Sequence, residues 1–275
     1  MATPIGNLRD ISLRALDVLK DVDAVIAEDT RVTARLLARY GIARRLIPAH
    51  EHNERRAIKQ VLALLTAGRS LALTCDAGTP AISDPGALVV EAVRAAGFAV
   101  TPIPGPNAAV AALSAAGRAA PHFLFYGFLP QRAAERRRAL ALLKTLPYAL
   151  VFYEAPHRVV ACLADLRDVL GGERDVVIAR ELTKVFESIS RCTLASAAAW
   201  IAENAERARG EFVLIVQGAQ LPKRGAEEAR GEAHRTLAVL LEEVPLKQAV
   251  TLAVKLSGGK RNDLYELALT LKGKQ

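Results

Sequence analysis

The stretch CDAGTPAISDPG, residues 75–86, directly follows a short apolar run, and its composition indicates the kind of fold to expect. Its glycines tolerate positive φ angles, and its prolines fix φ and donate no hydrogen bond, so its backbone path is rigid. The carboxylates of Asp76 and Asp84 and the hydroxyls of Thr79 and Ser83 lie within it. We interpret this rigid, polar loop as one wall of a ligand site.

Strands and helices alternate on both sides of this loop. The patterns predict strands at 22–27 and 70–74, helices at 30–40, 53–66 and 87–96, and an extended segment at 98–101. Such alternation predicts an α/β fold with a mainly parallel sheet, in which ligands bind beyond the carboxyl ends of the strands. The loop IPGPNA, residues 103–108, precedes another predicted helix, so we expect it at the same rim.

The alternating pattern restarts after Gly117 and gives way to a charged segment near residue 221. We therefore predict three domains: two α/β domains at 1–117 and 118–220, and a linker with a small basic helical domain at 221–275. Within the second, the predicted strands are 122–127, 148–153, 174–179, 187–194 and 211–217, and the predicted helices are 156–170 and 195–208. In the third, the linker covers 221–232, and helices are predicted at 233–242, at 246–256 and from about 262.

Composition limits the possible functions. The longest apolar runs are too short to span a bilayer and the N-terminus is charged, so we expect a cytoplasmic protein. The three cysteines are far apart and fit neither a disulfide framework nor a zinc motif. The usual phosphate-loop, nucleophile-elbow, zinc-protease and dinucleotide motifs are also missing. Residues 50–52 (His-Glu-His) have no third metal ligand at a recognisable spacing, so no metal is predicted.

Basic residues are in excess, with a formal net charge of +8, and they occur in three clusters. Arrays of this kind bind phosphate backbones, because each neutralised phosphate releases condensed counterions. The alternative is that they are ordinary solvated faces. The clusters are Arg31, Arg35, Arg39, Arg44 and Arg45; Arg132 with Arg136, Arg137 and Arg138; and Lys255, Lys260, Arg261, Lys272 and Lys274.

Nine motifs occur in an order that resembles a known family. They are TPIGNLRDISLRAL (3–16), AEDTR (27–31), HEHNE (50–54), CDAGTPAISDPG, IPGPNA, GFLP (127–130), YEAPHR (153–158), ARELTK (179–184) and the tail from PLKQAV to GGKRNDLY. Together they resemble the bacterial 16S rRNA (cytidine-2'-O)-methyltransferases of the tetrapyrrole methylase superfamily. The resemblance implies two α/β domains with a cleft for S-adenosyl-L-methionine between them, a homodimer, and 16S rRNA or the small ribosomal subunit as partner.

The resemblance also implies site residues. The cofactor contacts that it places on this sequence are Ile5, Gly6, Asp76, Gly78, Thr79, Pro80, Ile82, Ser83, Asn107, Ala108, Glu154 and Leu182. The reaction would be displacement at the sulfonium methyl by a ribose 2'-hydroxyl of a cytidine in the decoding region. The catalytic candidates are Glu28, Asp29 and Lys184 as the base, and Arg31 for gripping RNA. His52, Asn53 and Arg158 are further candidates for RNA contacts, against the alternative of loop capping and ion pairing.

Two other functions remain open at this level. A precorrin-type tetrapyrrole methyltransferase would need the same cofactor loops but would have little use for a basic helical tail. A nonenzymatic RNA- or ribosome-binding protein with a decayed cofactor cleft is the second alternative. Members of the family also carry an apolar strand before TPIGNL, whereas this sequence begins Met1-Ala2-Thr3. Either the start is assigned too late or the strand is missing; if it is missing, we expect an open slot in the first sheet and a poorly anchored loop around Ile5 and Gly6.

Overall fold

The computed structural model describes residues 1–50, 53–117, 122–220 and 226–272. Two compact units are present, Met1–Ala219 and Gln220–Gln275. Their elements are α1 (Leu13–Asp21), β1 (Ala24–Ala27), α2 (Thr30–Arg39), β2 (Arg45–Pro48), α3 (Glu54–Thr66), β3 (Leu71–Leu73), α4 (Ala87–Ala95), α5 (Ala108–Ala115), β4 (Phe123–Phe128), α6 (Ala133–Leu143), β5 (Ala149–Glu154), α7 (Val159–Leu170), β6 (Asp175–Arg180), β7 (Ser188–Thr193), α8 (Leu194–Ala202), β8 (Phe212–Val216), α9 (Ala226–Glu243), α10 (Leu246–Ser257) and α11 (Arg261–Lys272). The predicted three-part division stays a prediction.

The first sheet has the strand order β2-β1-β3, and both pairings are parallel. All four residues of the central strand β1 are buried, because helices cover this sheet as they cover parallel sheets in general. The βαβ pattern predicted from the alternation is confirmed here. The carboxyl ends of these strands form the rim that carries the candidate site.

The second sheet has the order β4-β5-β8-β6-β7, and among its described strands only β4 and β5 pair in parallel. A mainly parallel sheet is therefore the wrong expectation for this half of the unit. The last strand, β8, is inserted between β5 and β6 and is buried throughout. A strand covered on both faces is a continuous apolar run in either direction, so its sequence does not reveal its orientation.

Several elements differ from the sequence-based prediction. Helix α6 has no predicted counterpart, and the helix predicted at 195–208 ends at Ala202, where Asn204 caps a separate short turn. The segment 98–101 belongs to no described strand. Part of the predicted linker, from Ala226 onward, is the start of α9, and residues 221–225 lie outside the described chain.

The second unit is a three-helix arrangement of α9, α10 and α11. Its apolar core includes Leu237, Val250 and Leu264. Gly258 ends α10 in the left-handed conformation, with φ of +68°, as is common for the residue after a helix. The helices predicted at 246–256 and from about 262 are therefore present, with a turn at Gly258 between them. Among the described residues, no helix combines the length and apolarity that crossing a membrane requires.

Candidate active site

Three segments meet at the carboxyl-end rim of the first sheet. The Thr3 N–H donates to the Gly78 carbonyl over 2.8 Å, and the Gly78 N–H donates back over 3.0 Å. The Thr79 hydroxyl donates to the carbonyl of Pro106 over 3.2 Å. The loop 75–86, the loop 103–108 and the N-terminal segment are thus joined directly. The loop around Ile5 is better anchored than the sequence led us to expect.

The loop 75–86 has an unusual backbone. Besides Gly78, at φ +83°, two residues with side chains, Ala81 and Ser83, adopt positive φ values of 67° and 64°. Such conformations cost about 1–3 kcal/mol each and persist where the surrounding structure enforces them. Part of that enforcement comes from the buried carboxylate of Glu54, which accepts the Gly86 N–H over 3.1 Å.

The second sheet supplies the opposite side of the site through the loop after β6. A Cβ atom on Gly6 would lie 2.8 Å from the Thr183 hydroxyl and 2.9 Å from the Leu182 carbonyl oxygen, so only glycine allows this approach. The Asn7 N–H donates to the Thr183 hydroxyl over 3.0 Å. Glu181 and Thr183 also have positive φ values. Gly6 and Leu182, predicted from separate motifs, are therefore neighbours.

Helix α5 packs against the second sheet and begins at the loop 103–108 of this rim. Asn107 caps it by accepting the Val110 N–H, and the Ala109 N–H donates to the Tyr153 hydroxyl over 3.1 Å. The small side chains of α5 pack against β5 and β8. Asn107 and Ala108 consequently lie at a fixed position, while Ile82, from the facing loop, is exposed. Tyr153 was not singled out from the sequence.

Three carboxylates, those of Glu28, Asp76 and Asp84, form a cluster beyond the carboxyl ends of β1 and β3. The Asp76 N–H donates to Glu28 Oε2 over 3.2 Å, and the Asp29 N–H donates to Asp76 Oδ1 over 3.0 Å. Burial raises the pKa of Glu28 and of Asp76, and neighbouring carboxylate charges add to both shifts. Burial, with the charges of Glu28 and Asp76, raises the pKa of Asp84 to about 6. Asp84 was missed as a candidate, although it lies in the quoted loop.

The other two candidate bases are paired with opposite charges. Asp29 caps α2 and bonds to Arg31, with 2.6 Å between Asp29 Oδ2 and Arg31 Nη2. The hydrogen bonds from Arg31 lower the pKa of Asp29 to about 2. Burial disfavours the charge of Lys184, but its hydrogen bonds to Glu181 and Glu211 outweigh this and raise its pKa. Of the two candidate carboxylates, Glu28 is the one whose pKa is raised, and it is not paired with a cation as Asp29 is.

Some candidate RNA contacts have structural partners instead. Arg158 pairs with the buried carboxylate of Glu154 over 3.1 Å and donates to the carbonyl of Leu129 over 2.6 Å. Asn53 accepts the His50 N–H and donates to the Pro48 carbonyl, which fastens its own loop. For these two residues the alternative of ion pairing and capping is the better interpretation. His52 lies outside the described residues.

A cavity of about 250 Å³ adjoins the carboxylate cluster. It is lined by Pro4, Leu8, Val32, Thr33, Arg35, Leu36, Cys75 and Asp76. Apolar side chains form most of its wall, and Arg35 and Asp76 place opposite charges at its edge. A ligand group with both apolar and polar parts is the kind of occupant that such a lining accepts.

The tetrapyrrole (corrin/porphyrin) methylase family model matches residues 2–198. The chain belongs to this family. The methylase match covers the first sheet and strands β4 to β7 of the second, and a second model, the RsmI C-terminal HTH domain, matches residues 227–272. The curated relatives place this methylase in the branch of the small subunit ribosomal RNA methyltransferases I.

The similarity to those relatives extends over the whole chain. A protein of Pseudomonas aeruginosa named ribosomal RNA small subunit methyltransferase I is 50% identical, over 100% of this chain and 97% of its own. The protein of the same name from Escherichia coli O157:H7 is 48% identical, over 98% and 94%. That of Neisseria meningitidis serogroup A is 43% identical, over 100% and 93%.

Solved structures of methylases confirm the fold. The methyltransferase CobJ superposes with a TM-score of 0.58 over 78% of this chain and 90% of its own, at 22% identity. A uroporphyrin-III C-methyl transferase from Thermus thermophilus, complexed with S-adenyl homocysteine, gives 0.54 over 77% and 93%, at 17% identity. At these identities the likeness concerns the fold alone.

Proposed function

We propose that this methylase transfers a methyl group from S-adenosyl-L-methionine to the ribose 2'-oxygen of a cytidine in the decoding region of 16S rRNA. The observation that carries the proposal is the half-buried carboxylate of Glu28 at a rim where the loops 75–86, 103–108 and 182–184 converge. The name shared by relatives at 43–50% identity supports the rRNA substrate.

The residues at this rim fit the cofactor in charge and in shape. Burial raises the pKa of Glu28, Asp76 and Asp84; the charge of Asp76 adds to the shift of Glu28, and the charges of Glu28 and Asp76 add to that of Asp84. A positive charge placed among these carboxylates is therefore stabilised, and the cofactor carries a sulfonium. The close approach at Gly6 and the positive φ at Gly78 turn backbone toward the rim. The residues proposed to hold the cofactor are Ile5, Gly6, Asp76, Gly78, Thr79, Pro80, Ile82, Ser83, Asn107, Ala108, Glu154 and Leu182.

The chain's main chemical task is to align the ribose and remove a proton. The bound cofactor would supply an electrophilic methyl group on sulfur. Glu28 accepts the proton of the 2'-hydroxyl on its carboxylate, because its raised pKa makes it a better base than Asp29 and it is not held in an ion pair like Lys184. We infer that the cavity beside Asp76 receives the target nucleotide, with Arg31 and Arg35 near its phosphates.

The proposed assay measures transfer of labelled methyl from S-adenosyl-L-methionine to small ribosomal subunits from a strain that lacks this modification. We expect label on the 2'-oxygen of one cytidine in the decoding region, located by mapping the nucleotide. Label on a base nitrogen or carbon would contradict the proposed chemistry. Cofactor-independent binding to the subunit with no label would favour the nonenzymatic alternative, and label on a porphyrinoid would favour the tetrapyrrole alternative.

The basic second unit is proposed to hold the RNA. Replacing Lys255, Lys260 and Arg261 together with glutamine should weaken RNA binding and reduce the slope of log affinity against log salt by about 2–3, at roughly 0.7–0.9 per lost phosphate contact. All three side chains are exposed, so the fold is unaffected. Affinity for the rRNA fragment, measured over a range of salt concentrations, checks this. Removal of residues 222–275 should lower RNA affinity and its salt dependence by more than the triple replacement does, and should leave cofactor binding intact.

A matched triple variant separates specific contacts from net charge. Lys20, Lys59 and Arg94 are exposed on helices of the first unit, and their replacement with glutamine removes the same charge. An equal loss of salt dependence in both triple variants would mean that the second unit has no special role in RNA binding.

A homodimer in the cytoplasm remains the expectation for this methylase. Strand β4 lies at the edge of its sheet and exposes three large apolar side chains, those of Phe123, Tyr126 and Phe128. We expect a dimer to cover this surface. The molar mass in solution, measured by light scattering, tests the dimer.

A further inference from the structure

The turn between β6 and β7, residues 181–187, presents two large apolar side chains to solvent. Val185 and Phe186 are 93% and 71% exposed, and Phe186 is the most exposed of the seven phenylalanines in the chain. Water solvates an aromatic ring poorly, so an exposed ring at a fixed position indicates a surface that a partner covers. Whether this ring has a fixed position depends on the backbone beneath it.

The backbone of this turn is held in one conformation by several hydrogen bonds. The Lys184 N–H donates to the Glu181 carbonyl over 3.0 Å, and the Glu187 N–H donates to the Lys184 carbonyl over 3.2 Å. The carboxylate of Glu187 also accepts the Thr183 N–H over 2.6 Å. Glu181 and Thr183 adopt positive φ values of 51° and 65°, which residues with side chains keep only where their surroundings enforce them. The turn therefore cannot fold Phe186 inward without breaking these bonds.

A positive charge lies beside the exposed ring. Arg180, the last residue of β6, donates from Nη1 to the Phe186 carbonyl over 3.2 Å and from Nε to the Arg209 carbonyl over 2.6 Å. Both acceptors are neutral, and the neighbouring carboxylate of Glu181 is already paired with Lys184 over 2.8 Å. The groups bonded to Arg180 thus leave its charge uncompensated, and an anion beside Phe186 would be attracted to it.

The N-terminal segment connects this turn to the candidate site. The Asn7 N–H donates to the Thr183 hydroxyl over 3.0 Å, and Pro4 and Leu8 line the cavity beside Asp76. Phe186 follows Thr183 by three residues, a distance of at most about 11 Å along the chain. A ligand strand that leaves the cavity along this segment would therefore reach the exposed ring.

The size and chemistry of this surface fit one nucleotide better than a second copy of the chain. A stable interface between proteins covers about 800 Å² on each partner, far more than two side chains supply. The turn also lies at β7, the edge of the sheet opposite to β4, where we expect the dimer. An unpaired nucleobase has flat faces that stack on an aromatic ring, and its phosphate pairs with arginine.

We propose that Phe186 stacks against an unpaired base flanking the target cytidine, with Arg180 at the phosphate of the same nucleotide. This inference rests on the proposed rRNA substrate and narrows it. A base inside a continuous duplex has both faces covered by its neighbours, so the enzyme takes RNA whose strand is splayed next to the cytidine. Phe186 then adds to RNA binding without adding to its salt dependence, because stacking releases no counterions.

The test measures the affinity of a decoding-region rRNA fragment over a range of salt concentrations. Phe186→Ala should weaken binding by about 5- to 100-fold at every salt concentration, the usual cost of losing one base–aromatic stack, with an unchanged slope against log salt. Phe186→Trp, which keeps an aromatic ring, should bind like the unchanged protein. Arg180→Gln should reduce the slope by about 0.7, as expected for one phosphate contact to single-stranded RNA. Cofactor affinity should stay the same in all three variants.

Leu142→Ala is the matched control, because Leu142 is 80% exposed on α6 and also presents an apolar side chain to water. Its RNA affinity should not change. Unchanged affinity in Phe186→Ala, an equal loss in Leu142→Ala, or a dimer that dissociates in Phe186→Ala when its molar mass is measured would each overturn the inference. The last result would identify a second copy as the partner. If the unchanged protein bound no rRNA fragment, the proposed function would fall together with this inference, whereas binding that is insensitive to Phe186 would overturn the inference alone.

Discussion

Replacing Glu28 with glutamine is expected to lower kcat for methyl transfer by roughly 10²- to 10⁴-fold, the usual contribution of a positioned base. Glutamine keeps the shape of the side chain, and its amide oxygen can still accept the N–H of Asp76. It cannot take up a proton from the 2'-hydroxyl. KM for the RNA should change little, whereas the loss of one of the three negative charges beside the sulfonium should weaken cofactor binding. Single-turnover rates with saturating substrates therefore measure the effect on the chemical step alone.

The pH dependence of the unchanged enzyme follows from the same residue. Burial and the neighbouring charges raise the pKa of Glu28, and a base must be deprotonated to act. The rate should therefore fall as the pH drops through this raised pKa, at a higher pH than for an ordinary glutamate. In the glutamine variant this limb of the pH–rate profile should disappear, whereas a purely structural role would leave the profile in place.

Asp29 provides the matched control. It is adjacent in sequence, but its pKa of about 2 and its pairing with Arg31 make it a poor base, so asparagine there should cost less than tenfold in kcat. A loss above a hundredfold in that variant, with Glu28→Gln active, would assign the proton transfer to Asp29. A loss above a hundredfold for Asp84→Asn, with Glu28→Gln active, would assign the proton transfer to Asp84, whose pKa is raised to about 6.

The site was predictable from the sequence where local chemistry fixes the backbone. Gly78 with its neighbouring prolines, and Asn107 before α5, define loops whose shape depends little on distant residues, and both lie at the rim. The meeting of Gly6 with Thr183 depends on how two sheets pack, and no short-range pattern encodes it. The role of Asp84 depends on burial and on the charge of Glu28, a residue 56 positions away, so its identity alone did not distinguish it.

The basic clusters show a similar limit. Arg136, Arg137 and Arg138 look equivalent in the sequence, but they lie on α6, which the sequence did not predict. The side chain of Arg136 is 5% exposed, whereas that of Arg137 is 58% exposed. Which arginine of a run faces the interior depends on the helix and on the residue opposite it, here Asp165 on α7. Charge counting therefore overestimates the surface available to RNA.

Replacing Asp165 with alanine is expected to lower the free energy of unfolding by about 3–5 kcal/mol, the usual cost of leaving one partner of a buried ion pair alone. Asp165 Oδ2 lies 2.5 Å from Arg136 Nη2, and its other oxygen lies 2.5 Å from Arg137 Nε. Without the carboxylate, the buried guanidinium keeps, from the part of the chain that the structure describes, its hydrogen bonds to the carbonyls of Pro130 and Gln131. Denaturant unfolding of both proteins measures the difference.

The double variant Arg136→Met/Asp165→Leu tests the cause of this loss, because it removes both charges and keeps the buried volume apolar. It should recover most of the stability, as replacements of buried ion pairs by apolar residues do. Arg137→Ala, at an exposed position, should cost less than about 1 kcal/mol. If Arg136 contacted RNA, the double variant would also reduce the salt dependence of RNA affinity by close to one phosphate contact. We expect that slope to stay unchanged. Arg136 is buried and its charge is already neutralised by Asp165, so it neutralises no RNA phosphate and releases no counterion.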